Sequence, residues 1–227
     1  MASLNILYED NHIIAVNKVG GELVQADKEC SRSLEEDVKL FIKVRDKKPS
    51  LAFVGVVHRL DRPVSGVVIF AKTSKALSRL NAMFRLGQVH KTYHAIVKKR
   101  PPQDEDLLTH YLIRNEKQNK SYAHSSAKPN AKESRLRYRL VAASKSFFLV
   151  EVELLTGRHH QIRCQLSKTG CPIKGDLKYG YARSNPNGSI SLHARSISFT
   201  HPVSKMEINI VAPYPSGDVW ENFTPNR

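Results

Sequence analysis

The order of apolar and polar residues along the chain predicts short strands as its main structural element. The clearest alternation covers residues 135–140, where apolar side chains would face one side of a strand and arginines the other. Continuous apolar runs at residues 51–57 and 66–71 are typical of buried strands flanking a turn. The predicted strands are residues 6–8, 13–16, 51–57, 66–71, 93–97, 135–140, 147–155, 189–199 and 206–211.

Helical signals occur in three other places. Ser33 and Glu36 have the spacing of a capping box, which predicts a helix through about residue 44. Ser74 is expected to cap a helix running to residue 86, and Thr156 a helix from residue 157 to about 168. The polar, basic residues 101–131 are interpreted as strands with long, mobile connections. We therefore predict a single domain, residues 1–227, of the α+β class, with a mixed, mainly antiparallel β-sheet core and flanking helices.

The charge balance indicates the kind of partner. The 227 residues include 36 Lys and Arg against 21 Asp and Glu, which gives a formal charge of +15 and a pI near 9.8. Such a surface attracts polyanions, and nucleic acid is the common polyanion of the cell. The alternative is a solvated basic surface that only keeps the protein soluble.

Targeting signals are not visible in the chain. Its start has no basic segment followed by an apolar run, and no apolar stretch is long enough to span a bilayer, so neither a signal peptide nor a membrane segment is expected. The cysteines Cys30, Cys164 and Cys171 are too few, and odd in number, for a disulfide framework. A reduced, cytoplasmic location is therefore predicted.

Metal and nucleotide motifs are also not found. His159, His160, Cys164, Cys171 and His193 match no zinc-binding spacing, so no metal site is expected. The only glycine pair, at residues 20–21, is not followed by the Gly-Lys-Ser pattern of a phosphate loop. We predict a protein without a metal or a nucleotide cofactor.

Asp61 is the first candidate for chemistry. It follows the apolar run at residues 51–57 and precedes Pro63, so it should lie on a turn at a strand end, where catalytic groups are common. Arg59 and Arg62 flank it, and nearby cations favour an ionised carboxylate that can act as nucleophile or base. The alternative is an ion-paired turn aspartate with a structural role, which this segment alone favours.

A second candidate cluster covers residues 156–163. If the cluster is helical, His159 and Arg163 share one face, while Ile162 and Leu166 share the neighbouring apolar face. A helix packed beneath a site would point Arg163 inward, where a buried guanidinium needs a carboxylate, and Asp61 is a candidate partner. The alternative is the basic start of a surface helix.

A set of short motifs, in this order, resembles the RluA-type family of RNA pseudouridine synthases, which act on uridines in ribosomal or transfer RNA. Each motif is weak alone, but the ordered set spans roughly residues 5–212 and is highly specific. The motifs are His58-Arg59-Leu60-Asp61, Ser65-Gly66, Lys91-Thr92-Tyr93, residues 156–163, Gly175-Asp176, Tyr179-Gly180, Leu192-His193-Ala194 and His201-Pro202.

The resemblance implies roles for individual residues. Asp61 matches the family's catalytic aspartate, Tyr93 the tyrosine that stacks on the target base, and Arg163 the arginine that ion-pairs with the aspartate. Arg59 matches a residue that fills the gap left by the flipped base, and Leu192 lies where the uracil pocket has an apolar side chain.

The resemblance also implies the reaction and the partner. Arg62 and Arg158 are predicted to bind RNA beside these residues. Pseudouridine formation needs no cofactor or metal, and Asp61 would either attack C1′ of the ribose or remove a proton from C2′. The expected partner is ribosomal or transfer RNA, with no membrane and no nucleotide cofactor, and the protein is expected to be a monomer.

The chain departs from the family in a few places. It has Asn17-Lys18-Val19 where many members have Asn-Lys-Pro, and Val64 where many have threonine. It is expected to begin at the catalytic part, without the separate N-terminal RNA-binding domain of some members, so the choice of RNA stays open. Two rival functions are a non-catalytic RNA-binding protein, which would be expected to have lost Asp61, and a base-excising glycosylase, which would release free uracil.

Overall fold

The computed structural model describes residues 4–26 and 32–223, and the chain divides into two compact units. The first unit comprises residues 1–90 and 194–213, and the second comprises residues 91–193 and 214–227. The described residues form eleven strands, three α-helices and two short 3-10 helices, which confirms the α+β class. A single domain stays a prediction, and Cys30 lies outside the described residues.

The strands and helices alternate irregularly along the chain. In chain order they are β1 (Ile6–Glu9), β2 (Ile13–Lys18), α1 (Leu34–Arg45), β3 (Gly55–Val56), β4 (Ser65–Ala71), α2 (Ser74–Arg85), β5 (His90–Val97), β6 (Glu105–Asn115), β7 (Lys120–His124), β8 (Lys132–Ala143), β9 (Phe148–Leu154), α3 (Gln161–Lys168), a 3-10 helix (Leu177–Tyr179), β10 (Leu192–Thr200), β11 (Glu207–Val211) and a second 3-10 helix (Asp218–Phe223). None of the α-helices in the described ranges is long and apolar enough to cross a bilayer.

The first unit is built around β4. Its strands follow the order β1, β2, β4 and β10, with β3 also paired to β4 and β11 to β10. All seven residues of β4 are buried, which explains why its sequence is a continuous apolar run rather than an alternation. Ile13, Ile69, Leu80 and Phe199 belong to the apolar core of this unit, where α2 packs.

The second unit is a sheet in the order β5, β9, β8, β6 and β7, with antiparallel neighbours. The alternation predicted in β8 is confirmed, since Leu136 and Tyr138 are buried while the arginines at 135, 137 and 139 are exposed. Residues 101–131 are more regular than predicted, because β6 has 11 residues and pairs with both β7 and β8.

The starts of α1 and α2 test the helix caps that were predicted from the sequence. The capping prediction for α1 is confirmed, because the Ser33 side chain accepts a hydrogen bond from the backbone N–H of Glu36 at 3.4 Å. The cap of α2 is Thr73, so the prediction of Ser74 is wrong by one residue. Thr73 has an extended backbone, and its hydroxyl oxygen accepts from the N–H of Ala76 at 3.1 Å.

The start of α3 differs more from its prediction than the starts of α1 and α2 do. The prediction that Thr156 caps a helix from residue 157 is wrong, because α3 begins at Gln161 after His160, which has a left-handed backbone with φ of 53°. His159 is therefore outside the helix, and the predicted face shared with Arg163 is also wrong. Ile162 is buried on the helix as expected.

The apolar run at residues 51–57 is mostly not a strand. Only Gly55 and Val56 form a ladder, opposite Ala71 and Phe70 of β4, so the prediction of a continuous buried strand is wrong. The preceding residues alternate between buried and exposed side chains.

Gly66 allows the backbones of β4 and β10 to approach closely. Its φ is +113°, and a Cβ built there would overlap the backbone of Ala194. We expect Gly66→Ala to lower the free energy of unfolding by more than the roughly 1–3 kcal/mol of backbone strain alone, measured by urea denaturation. Gly188→Ala is the matched control, because Gly188 also has a positive φ, +70°, but open space around it. Equal losses in the two variants would contradict a close approach at Gly66.

Candidate active site

Asp61 lies on the predicted turn, between buried Leu60 and the start of β4. The N–H of Val64 donates to the carbonyl oxygen of Asp61 at 3.0 Å, which closes the turn. On the strand side, the Nε2 of His58 accepts from the N–H of Ile69 at 3.1 Å. One hydrogen bond thus closes the turn at Asp61, and the His58 side chain links the residues before it to β4.

Lys18 is hydrogen-bonded to the backbone of this turn. It is fully buried, and its Nζ donates to the carbonyl oxygens of Val19 at 3.0 Å, Arg62 at 3.0 Å and Val64 at 2.6 Å. Burial lowers the pKa of Lys18 to about 8, although the nearby charges of Glu22 and Asp61 oppose the shift. One buried ammonium group thus fixes the backbone on the C-terminal side of Asp61.

The two arginines beside Asp61 differ in how they are held. Arg62 is exposed, and its Nε donates to the carbonyl oxygen of Gly21 at 3.0 Å, while the N–H of Gly21 donates back to the carbonyl of Arg62 at 2.7 Å. Arg59 is also exposed, and no carboxylate pairs with it among the residues that the structure describes.

Arg163, in the second unit, makes a buried bidentate ion pair with Asp176. Its Nε donates to one carboxylate oxygen at 2.7 Å and its Nη2 to the other at 2.9 Å. The side chains are only 6% and 1% exposed, respectively. Asp61 lies in the first unit, so its predicted pairing with Arg163 stays a prediction.

Tyr179 supports the same guanidinium. The ring centroid lies 5.1 Å from the Arg163 Cζ, a cation–π distance. The Tyr179 hydroxyl accepts from the N–H of Ser121 at 2.8 Å and lies 3.0 Å from Nδ1 of His160. Burial, with the charge of Arg163 second, lowers the pKa of His160 to about 2, so this imidazole adds no charge beside the guanidinium.

The remaining predicted site residues also belong to the second unit. Tyr93 is 9% exposed on β5, opposite Val152 of β9, and Leu192 is 3% exposed at the start of β10. Arg158 is exposed, and its Nε donates to the carbonyl oxygen of Glu133 at 3.3 Å. In the described ranges, no three His, Cys, Asp or Glu side chains are grouped as a metal ion would require.

Sequence reasoning missed the roles of the supporting residues. Lys18 stands out in the sequence only within a departure from the family pattern, and Asp176 and Tyr179 only as members of motifs. A signal was nevertheless present for these last two, because each lies inside one of the short motifs whose order carries the resemblance.

A comparison with models of known protein families shows to which family the chain belongs. The model described as RNA pseudouridylate synthase matches residues 12–168. The chain belongs to this family. It is 32% identical over 214 residues to ribosomal large subunit pseudouridine synthase C of Vibrio vulnificus, and the match covers 92% of this chain and 65% of the relative. It is 31% identical over 227 residues to tRNA pseudouridine synthase C of Pectobacterium carotovorum, covering 92% of this chain and 58% of the relative.

These matches confirm the resemblance to the RluA-type family. The chain spans slightly less than two thirds of the Vibrio relative. The solved structure of human RNA pseudouridylate synthase domain containing 4 has the same fold, with a TM-score of 0.78 and 23% identity over 93% of this chain and 89% of that one.

Proposed function

We propose that this protein is an RNA pseudouridine synthase, which isomerises uridines in structured ribosomal or transfer RNA. The family match carries the proposal, and the turn that holds Asp61 supports it, because Lys18 fixes the backbone at the position of the family's catalytic aspartate. The names of the two relatives, one for ribosomal RNA and one for transfer RNA, supply the two substrate classes.

The proposed reaction suits the groups present. The N1–C1′ bond of uridine breaks, the uracil turns, and a C5–C1′ bond forms. C5 loses its hydrogen as a proton and N1 gains one, so atoms and electrons balance without an oxidant, a reductant or a second substrate. Asp61 starts this sequence, either by attacking C1′ or by removing the proton at C2′.

Tyr93 and Arg163 act with Asp61 in this proposal. Taking a base out of its stack costs roughly a few kcal/mol, and stacking on an aromatic ring returns about 1–3 kcal/mol, so Tyr93 would offset much of the cost. Arg163 would keep Asp61 ionised within a site that excludes water. Asp176 and Tyr179 support this role, because they fix the plane of the guanidinium.

Exposed arginines and one buried leucine are proposed to contact the RNA. Arg59 would fill the gap left by the flipped uridine, while Arg62 and Arg158 present exposed guanidinium groups to phosphates. Leu192 would line the uracil pocket. We propose further that the protein acts in the cytoplasm as a monomer and uses no nucleotide cofactor.

Tritium release from C5 tests the function. Total RNA carrying tritium at C5 of uridine, taken from cells that lack this protein, is incubated with the purified chain. Pseudouridine formation releases the label into water and leaves the base attached to RNA. Tritiated free uracil among the products would indicate a glycosylase instead, and label that stays in the RNA would refute both activities. Mapping pseudouridines in wild-type and deletion strains then identifies the RNA.

Lys18→Met is expected to lower the turnover number about 100-fold, because small misplacements of a catalytic group have effects of this order. The variant removes the donors to three backbone carbonyls around Asp61, so a stability loss of about 1–3 kcal/mol is also expected. Turnover is compared with Lys75→Met, whose lysine is exposed on α2. Normal turnover in Lys18→Met would show that Lys18 does not position Asp61.

A further inference from the structure

The segment before the Asp61 turn has two apolar side chains that the described residues leave about half exposed. Its side chains alternate, with Ala52 and Val54 at 8% and 5% exposure and Leu51 and Phe53 at 53% and 49%. About half of the Phe53 side chain is therefore open to solvent.

Phe53 lines a groove in the first unit. The groove has a volume of about 470 Å³, within the range of about 300–1,000 Å³ typical of small-molecule sites. Leu77, Glu35 and Arg59 are also among the lining residues. Gly55 also lines the groove, and a Cβ there would come within 2.7 Å of the Leu77 side chain, so a larger residue would displace Leu77.

The chemistry of the groove fits a nucleotide. An aromatic face with a nearby cation is the arrangement by which proteins hold unpaired bases without reading their sequence. Arg59 supplies the cation, and no described carboxylate neutralises it. Glu35 is already paired with Lys39 at 2.8 Å, so it does not compete for Arg59. The charge of the whole chain, +15, also favours a polyanion over an apolar peptide.

We propose that this groove is a subsite for an unpaired nucleotide that neighbours the target uridine, with its base stacked on Phe53 and its phosphate near Arg59. Arg59 is only two residues before Asp61 in the same segment. Flipping one uridine loosens the stacking of its neighbours. Arg59 would occupy the gap itself, and Phe53 would stack on the base of one neighbour. The subsite rests on the proposed function, since its position is defined relative to the uridine on which Asp61 acts.

Photo-crosslinking tests the subsite without requiring turnover. The probe is a ten-nucleotide oligouridine with one 5-iodouridine, which crosslinks to aromatic side chains on irradiation. The full-length protein is crosslinked and then digested, and mass spectrometry of the peptides is expected to find the crosslink at Phe53. Phe53→Ala should abolish it. Leu51→Ala is the matched control, because Leu51 is equally exposed but does not line the groove.

Affinity and turnover provide the second measurement. Phe53→Ala is expected to weaken binding of the mapped RNA substrate about five-fold to 150-fold, the range for loss of one base–aromatic stack. Phe53→Trp, which keeps an aromatic face, should restore binding. The effect is expected mainly in KM, with kcat within about three-fold of the unmodified protein, because the stack is present before and during the reaction.

The outcomes separate the two proposals. Equal affinities of Phe53→Ala and the unmodified protein, or equal losses in Phe53→Ala and Leu51→Ala, would overturn the subsite while turnover still supports the synthase. A crosslink at Phe53 without any pseudouridine formation would keep a nucleotide site there and overturn the synthase. Crosslinks found at other residues, such as Tyr93, with none at Phe53 would also overturn the subsite.

Discussion

Asp61→Asn is expected to reduce pseudouridine formation by at least about 10⁴-fold. Losses of this size are seen when the nucleophile or base is removed from a set of catalytic residues that act together. The carboxamide has nearly the same shape, so the turn closed by Asp61 and Val64 should persist, but it can neither attack C1′ nor accept a proton from C2′. Tritium release from C5 measures the loss. Affinity for RNA and the urea midpoint are expected to change little.

Two controls make this result specific. Asp61→Ala guards against slow deamidation of the asparagine, which would restore traces of aspartate. Asp106→Asn changes an exposed carboxylate in the second unit and should keep full turnover. Turnover within about ten-fold of normal in Asp61→Ala would refute both routes proposed for Asp61, since each requires its carboxylate.

Local patterns predicted the elements well where the interaction lies within a few residues. The Ser33 cap is three residues from its partner, and the alternation in β8 follows from the pleat of a strand. The start of α3 was missed because the left-handed backbone of His160 has no local signal, and such a backbone is uncommon outside glycine. The exposed face at Phe53 was missed because an apolar run does not show which side chains find partners.

The candidate site was predictable only in part. Asp61 emerged from an ordered set of motifs, since an aspartate between two arginines is by itself more often structural. Lys18 could not be found from its own segment, because its carbonyl partners include Arg62 and Val64, 44 and 46 residues away. A partner for buried Arg163 was correctly required, but Asp176, 13 residues along the chain, supplies a carboxylate that no periodicity indicates.

Arg163→Met is expected to lower the free energy of unfolding by about 3–5 kcal/mol, because removing one partner of a buried ion pair leaves the other charge uncompensated. Here the uncompensated group would be Asp176, which is 1% exposed. Asp176→Asn should cost a similar amount by leaving the guanidinium without its anion. Urea denaturation at neutral pH measures both losses of stability. A loss below about 1 kcal/mol would show that the ion pair stabilises the fold no more than an exposed salt bridge does.

Both variants are also expected to lose turnover, because Arg163 is either missing or no longer held in place to act on Asp61. A double variant separates this loss from the loss of stability. Arg163→Met combined with Asp176→Leu replaces both charges by apolar groups, which is often neutral or stabilising for buried pairs. We expect it to recover most of the lost stability but no activity, because the cation proposed to act on Asp61 is still missing. Recovery of turnover together with stability would show that Arg163 serves only the fold.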